Sequence, residues 1–297
     1  MYHQPVLLNE SINGLNIREN GIYVDATFGG GGHSKQILEH LKGGRLLGFD
    51  QDEDAQKNAL NDPRFQLIPQ NFKYAKNFLQ FHNALPIDGL LADLGVSSHQ
   101  FDVAERGFSF RFDAPLDLRM DVKNPQTASE ILEKYDESQL ADVFFHYGEL
   151  RNARKISRAI VQTRNENPIR TTGELKQFLA PFFPKNQENK FLSMVFQALR
   201  IEVNQELDAL KILLQQALEM LNSGGRLVVI SYHSLEDRLV KNFMKSGNLN
   251  GEIVKDFYGN IQTPFRLISR KAIVPSETEI AENNRARSAK LRIAEKI

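Results

Sequence analysis

The sequence predicts an α/β protein: an open, largely parallel sheet split in the chain by an inserted helical domain. Three observations carry this expectation. Apolar runs of strand length, at residues 45–49, 87–92 and 226–231, open into polar or glycine-containing loops and are interleaved with amphipathic stretches of helical period. Between residues 104 and 204 this alternation stops, and only loop and helix patterns remain. It then resumes, so the expected division is a first part at 1–103, a helical insertion at 104–204 and a second part at 205–297.

The chain's organising stretch is Val24-Asp25-Ala26-Thr27-Phe28-Gly29-Gly30-Gly31-Gly32-His33-Ser34. Tyr23 and Val24 suit a buried first strand, and residues 34–41 place Ile37, Leu38 and Leu41 on one helical face. Glycines between such elements allow a tight turn and a close approach to a ligand, with free N–H groups at the helix start pointing at it. The pattern reads as a nucleotide or cofactor site. The dinucleotide fingerprint G-x-G-x-x-G fails on its third glycine, because Ser34 or Lys35 takes that place when counting from Gly29 or Gly30. Two carboxylates flank the loop instead. Asp25 precedes the glycines, and Asp50 ends the strand pattern Arg45-Leu46-Leu47-Gly48-Phe49 about twenty residues further on, where an acid can accept hydrogen bonds from both ribose hydroxyls. Acid, glycine loop and acid resemble the cofactor site of class I S-adenosylmethionine methyltransferases.

Residues 52–60 read as a short helix and residues 64–69 as a third strand. Phe72 follows that strand, either to pack against an adenine or to plug the core beneath a helix at 74–81. Ile87-Asp88-Gly89-Leu90-Leu91-Ala92 is apolar enough for a strand buried on both faces. It delivers Asp93 to the carboxyl edge of the sheet, where open α/β sheets bind ligands. Asp93 is the leading catalytic candidate.

In the insertion, residues 104–115 are too rich in glycine, proline and charge for a core element, yet interleave Phe108, Phe110 and Phe112 with Arg106 and Arg111. Thr127 with Glu130, and Thr171 with Glu174, match the capping box that starts helices. Arg151, Arg154, Lys155 and Arg158 recur at helical spacing. Their stripe is either a surface for a polyanion or a solvated face neutralised by Glu149 and its neighbours.

The second part opens with an amphipathic helix at 206–221, stopped by Asn222-Ser223-Gly224-Gly225. The buried strand Arg226-Leu227-Val228-Val229-Ile230-Ser231 then leads into Tyr232-His233-Ser234-Leu235-Glu236-Asp237-Arg238. His233 is the second catalytic candidate, as proton acceptor or orienting group, beside an expected cap that pairs Ser234 with Asp237; a structural role for it is the alternative. Alternation at 265–274 and 288–294 predicts two antiparallel strands closing one sheet edge, with Arg285 and Arg287 in the polar turn between them.

The 297 residues, 41% hydrophobic and 25% charged, suit a globular protein with a large core. No segment approaches the ~18 apolar residues of a membrane span, and the first residues lack the parts of a signal peptide, so a cytoplasmic protein with no membrane partner is expected. There are no cysteines, which excludes disulfides, iron–sulfur clusters and methylation of a pyrimidine carbon through a cysteine adduct. The seven histidines show no metal spacing, and no metal is expected. With 37 basic and 37 acidic residues, any nucleic-acid contact must come from a local patch.

Seven motifs in order identify a family. They are His3-x-Pro-Val-Leu-Leu, Asp25-Ala-Thr-Phe-Gly-Gly-Gly-Gly-His33-Ser34, Asp93-Leu-Gly-Val-Ser-Ser98, Ala104-Glu-Arg-Gly-Phe-Ser-Phe110, Pro115-Leu-Asp-Leu-Arg-Met-Asp121, His233-Ser-Leu-Glu-Asp-Arg238 and Asn284-Arg-Ala-Arg-Ser288. Over essentially its whole length the chain resembles the RsmH (MraW) family of bacterial 16S ribosomal RNA methyltransferases, which modify the N4 amine of a decoding-centre cytidine. The resemblance implies a Rossmann-like methyltransferase sheet interrupted by a helical insertion, S-adenosylmethionine as cofactor, and 16S rRNA within the small ribosomal subunit as partner. It implies that Gly29, Gly31, Gly32 and His33 line the cofactor site, with Asp50 on the ribose, Phe72 by the adenine, and Asp93 and Gln100 completing it. His99 stands where the family usually has proline, and Leu118 where methionine is common; neither change removes a polar group.

A cytosine amine is delocalised into its ring, and an acceptor on its N–H groups makes it nucleophilic; Asp93 stands at the right strand end for that. The base must also be unstacked, against Phe108, Phe110 or Phe112, with Arg106, Arg111, the 151–158 stripe, Arg285 and Arg287 on the RNA backbone. The rivals are a nicotinamide oxidoreductase, which the missing glycine opposes, a non-catalytic ribosome-assembly module, which the retained acids oppose, and a DNA-amine methyltransferase.

Overall fold

A computed structural model describes residues 5–297; His3, in the first motif, lies outside the described residues. The chain forms two compact units, one made of the chain up to Gly95 together with Leu207–Ile297, the other of Val96–Glu206. In chain order the first unit begins with α1 (Leu8–Leu15), β1 (Ile22–Asp25), α2 (Gly32–His40), β2 (Arg45–Phe49), β3 (Phe65–Ile68), α3 (Ala75–Phe81) and β4 (Ile87–Asp93). The second holds α4 (Ser98–Asp102), α5 (Ala128–Lys134), α6 (Glu137–His146), α7 (Ala153–Thr163), α8 (Thr172–Leu179) and α9 (Glu188–Asn204). Then α10 (Glu206–Met220) leads back to β5 (Leu221–Ser231), α11 (Ser234–Ser246), the hairpin β6 (Val254–Lys255) and β7 (Ile261–Gln262), β8 (Phe265–Leu267), α12 (Glu277–Glu282) and β9 (Lys290–Lys296). Among the described residues no helix is long and apolar enough to cross a membrane.

The first unit is built on a seven-stranded sheet in the order β3-β2-β1-β4-β5-β9-β8. Strands β1 to β5 pair in parallel, and β9 runs antiparallel between β5 and β8. The order reverses between β1 and β4, so their carboxyl ends diverge into different loops and leave a crevice there. Helices cover both faces, which is why β4 reads as an uninterrupted apolar run. One face packs Val24, Leu47, Leu90 and Val229 against Leu210, Leu213, Leu214 and Ala217 of α10, and the other packs Leu46, Leu91 and Ile230 against α1 and α2.

Two expectations shift in detail. The 222–225 stretch does not separate a helix from a later strand, because β5 begins directly at Leu221 and this stretch loops out. Leu221 pairs with Ile87 and Arg226 with Gly89, so the two strands advance unequally between those pairs. At the edge, β8 is only three residues long, and its continuation is a single bridge between Ile273 and Leu291.

The second unit has its own core, in which Ile131, Leu140, Phe144, Ile156, Leu175 and Leu199 are fully buried. Val96 and Phe101 pack against that core, so the unit starts at Val96 and not near residue 104. The boxes of Thr127 with Glu130 and Thr171 with Glu174 cap α5 and α8, and Asp136 with Gln139 adds a third at α6. Asn204, ending α9, accepts the Met120 N–H at 2.7 Å and donates to the Leu118 carbonyl at 2.8 Å. Leu118 has a φ of 64°, which a branched side chain adopts only under constraint, and Asn204 supplies that constraint. Asn204→Ala should therefore lower stability by about 1–3 kcal/mol, read as a lower melting temperature together with faster proteolysis within residues 115–125.

Candidate active site

The carboxyl ends of β1, β2 and β4 each present an aspartate. Asp25 is 1% exposed and accepts the Ser34 hydroxyl at 2.7 Å and the Thr27 N–H at 3.1 Å. These bonds tie the strand end to the first turn of α2 and fix the glycine loop between them. Burial pushes the Asp25 carboxyl up to about 6 against those two donors. Asp50 accepts the Gly29 N–H on Oδ2 at 2.7 Å and the Asp52 N–H on Oδ1 at 2.9 Å. Each oxygen keeps a second lone pair, enough for a pair of vicinal hydroxyls. Burial raises Asp50 as well, to about 6.

Gly31 is the N-cap of α2, with a φ of 76°, and no side chain caps the helix. A Cβ on Gly31 would lie 2.9 Å from the Phe28 ring, so the left-handed turn and the space both require glycine. Gly32 is the first residue of α2, whose uncapped N–H groups are suited to a carboxylate such as that of a bound amino acid. His33 follows, 6% exposed, with Nε2 3.2 Å from the Val6 carbonyl. A carbonyl only accepts, so Nε2 carries the hydrogen and Nδ1 the lone pair. Burial lowers His33 to about 4, and it is neutral near pH 7.

Asp93 ends β4. Its N–H donates to the Thr27 hydroxyl at 2.7 Å, its Oδ1 accepts the Tyr232 hydroxyl at 2.8 Å, and its Oδ2 is 3.9 Å from His33 Nδ1. Its side chain is 23% exposed, so the carboxyl is covered but reachable. Burial pushes it up to about 7, opposed by the Tyr232 donor and reinforced by the charges of Asp25 and Glu236. Near neutrality Asp93 is therefore able both to take and to release a proton. The residues fit S-adenosylmethionine: two acceptors for ribose hydroxyls on Asp50, an uncapped helix start for the amino-acid carboxylate, and anionic groups for its two positive charges.

Other expected site residues have different surroundings. His233 is the N-cap of α11, with Nδ1 accepting the Glu236 N–H at 3.4 Å and Nε2 3.1 Å from Glu236 Oε1. Both ring nitrogens thus face Glu236, and the cap pairs His233 with Glu236 instead of Ser234 with Asp237. Phe72 is half-buried against the core beside α3. Within the second unit, Gln100 accepts the Ser97 N–H at 3.1 Å and closes the cap of α4.

The aromatic segment is also corrected. Phe108 is only 5% exposed and belongs to the second unit's core, and Phe110 stacks edge-on against Phe196 at 5.5 Å, leaving Phe112 as the exposed ring of the three. Arg106 donates through Nη2 to the Arg119 and Met120 carbonyls. Arg111 is exposed. Arg154, Lys155 and Arg158 lie exposed on α7, with Arg151 in the turn before it and not on the helix. Arg158 pairs with Glu137 at 3.2 Å, and Lys155 lies over the Phe182 ring. Arg287 is exposed and Arg285 half-buried on the short turn at Asn284–Ser288. The residue that the sequence did not single out is Tyr232, whose meeting with Asp93 depends on the β4–β5 register.

Comparison with known proteins adds a family. The sequence matches the MraW methylase family over residues 1–297. It is 59% identical over 296 residues to the ribosomal RNA small subunit methyltransferase H of Bacteroides thetaiotaomicron, covering 99% of this chain and 97% of that one. It is likewise 59% identical over 297 residues to the protein of that name from Flavobacterium johnsoniae, covering 100% and 98%. Among solved structures, a putative methyltransferase from Streptococcus mutans in complex with SAH aligns over 100% of both chains, with 15% identity and a TM-score of 0.44.

Asp25, Asp50 and Asp93 all bind protons more tightly folded than unfolded. Below the unfolded value, about 4, both states are protonated and nothing is lost; as pH rises to about 7 the buried groups ionise against their surroundings, and stability falls. For the cofactor-free protein, Asp93→Asn should raise the melting temperature at pH 8 by ~2–4 °C while changing it little near pH 4, as scanning calorimetry would read.

Proposed function

The chain belongs to the MraW methylase family, and on that premise we propose that it transfers a methyl group to the N4 amine of a cytidine in the decoding centre of 16S ribosomal RNA. It is an S-adenosylmethionine-dependent ribosomal RNA methyltransferase, in keeping with relatives named ribosomal RNA small subunit methyltransferase H. Transfer to an amine is supported by Asp93. Bound S-adenosylmethionine supplies a methyl group on a positively charged sulfur, a good leaving group, so the chain's task is alignment and proton removal.

Asp93 supports that task because it stands at the crevice with one oxygen, Oδ1, held by Tyr232 and the other, Oδ2, with no hydrogen-bond donor among the described residues. An amine N–H donated to Oδ2 localises the nitrogen lone pair for attack on the methyl carbon. As the new N–C bond formed and the methyl–sulfur bond broke, releasing S-adenosylhomocysteine, the nitrogen would gain the positive charge the sulfur loses, and its N–H proton would pass to Oδ2. A carboxyl raised to about 7 accepts that proton and returns it to water near neutral pH. Asp25 and Asp50 hold the glycine loop, and Gly29, Gly31, Gly32 and His33 form its wall.

RNA would be held by exposed cations, Arg111 and the set at Arg151, Arg154, Lys155 and Arg158 in the second unit, with Arg285 and Arg287 in the first. Phe112 is the ring available to an unstacked base. The second unit is in this reading the substrate-recognition domain, and the site of action is the small subunit in the cytoplasm.

The reading is tested with radiolabelled S-adenosylmethionine and small subunits lacking the modification, followed by nucleoside identification. Label in N4-methylcytidine is expected, and Asp93→Ala should abolish it while S-adenosylhomocysteine binding persists; label in any other nucleoside sinks the proposal. Replacing Arg154, Lys155 and Arg158 by Gln together should weaken RNA binding and reduce the slope of log affinity against log salt by about 2. An unchanged slope would remove this stripe from the RNA surface.

A further inference from the structure

We propose that Tyr232 is a positioning residue for the transfer: its hydroxyl, 2.8 Å from Asp93 Oδ1, locks the carboxyl so that Oδ2 is the oxygen left for the substrate amine. The inference rests on Asp93 being the proton acceptor. Tyr232 lies one residue beyond β5 and just before the His233 cap.

Three observations carry it. The tyrosine is fixed from both sides. Its backbone N–H donates to Glu236 Oε2 at 2.9 Å, and its ring covers the loop after β4, where a Cβ on Gly95 would lie 3.4 Å from Tyr232 Cδ2. Gly95 has a φ of 99°, so the loop already requires glycine there and the ring lies flush with the backbone. The second observation is the direction of the bond. Burial and the neighbouring carboxylates hold the Tyr232 phenol well above its usual value, so it keeps its proton and donates it. The third is the set of groups facing Asp93. His33 approaches from α2 with a lone pair on Nδ1 at 3.9 Å, Asp25 lies at the end of β1, and Glu236 in the first turn of α11. Of these side chains only Tyr232 donates to the carboxyl. Without it, no side-chain donor among the described residues would orient the two oxygens or oppose burial in the ionised state.

The consequence is a specific pH signature. The Tyr232 hydroxyl favours ionised Asp93, so removing it makes Asp93 harder to ionise and moves the acid limb of the rate profile to higher pH. Tyr232→Phe keeps the ring that covers Gly95 and deletes only the hydroxyl. In single-turnover methyl transfer to unmodified small subunits, the acid limb should move up by about one pH unit, with the rate near pH 6 falling roughly tenfold more than the plateau near pH 9. Equal loss at every pH, or a lower melting temperature with an unmoved limb, would give Tyr232 a purely structural role and overturn the proposal. A wild-type enzyme that transfers nothing to the cytidine amine would overturn the functional reading instead. A second measurement needs neither RNA nor the variant. Following the Asp93 carboxyl by carbon-13 NMR in protein carrying 3-fluorotyrosine, a stronger donor, the titration midpoint should move down; a midpoint unmoved or raised refutes the coupling.

Discussion

Much of this structure follows from holding three carboxylates, Asp25, Asp50 and Asp93, at the carboxyl ends of neighbouring strands, with no lysine or arginine among their partners in the described residues. Ionised groups in such a place are costly unless donors or an opposite charge compensate. The chain supplies neutral donors: the hydroxyls of Ser34 and Tyr232 and the backbone N–H groups of Thr27, Gly29 and Asp52. None of these donors neutralises the charge, which is why all three carboxyls are displaced upward. S-adenosylmethionine carries one positive charge on its sulfur and one on its amino group, which would compensate these carboxylates. Holding the anionic half of an ion pair in the free protein is thus a means of selecting a cationic ligand over an uncharged one of the same shape.

The same constraint explains the local architecture. Asp25 can bond Ser34 only if the chain reverses within a few residues, which requires the left-handed turn at Gly31. Asp93 can meet Tyr232 only because β4 and β5 are adjacent and pair Asp93 with Ile230, two residues before the tyrosine. Each contact therefore tests a different level of the fold, one a loop and the other a strand register. The second unit, with its own core and capped helices, can vary its exposed cations without disturbing either.

The sequence made the first level legible and concealed the second. The glycine loop, its flanking acids and the apolar run ending in Asp93 are local patterns, and they reappear as the strand ends and turn they suggested. The capping boxes at Thr127 and Thr171 are equally local. What the sequence left open depends mostly on partners far along the chain. Phe108, Phe110 and Phe112 look alike in a polar segment, yet Phe108 enters a core built from α5 to α9, and only Phe112 is more than half exposed. His233 also heads α11, a local role beside its expected chemical one: its Nδ1 accepts the Glu236 N–H and its Nε2 lies 3.1 Å from Glu236 Oε1. A capping box with histidine at its head is outside the Ser, Thr, Asp and Asn pattern by which caps are recognised. Tyr232 could be found only from the register of β4 against β5.

Proton linkage then connects the free protein to its chemistry. A carboxyl that titrates near 7 without ligand must be at least partly protonated near neutral pH, so a cation entering the crevice has to drive off a proton or bind less tightly. Asp25 and Asp50, raised to about 6, are mostly ionised there and bear less of this cost. A positive charge brought to the crevice would therefore act mainly on Asp93, lowering its proton affinity and shifting it toward the ionised form. Under the proposed function, the arrival of the methyl donor would in this way ready the carboxyl. A carboxylate paired permanently with arginine would be a weaker proton acceptor and would gain nothing from that arrival. Leaving Asp93 with a hydroxyl and a neutral histidine for company makes its ionisation depend on the occupant of the site.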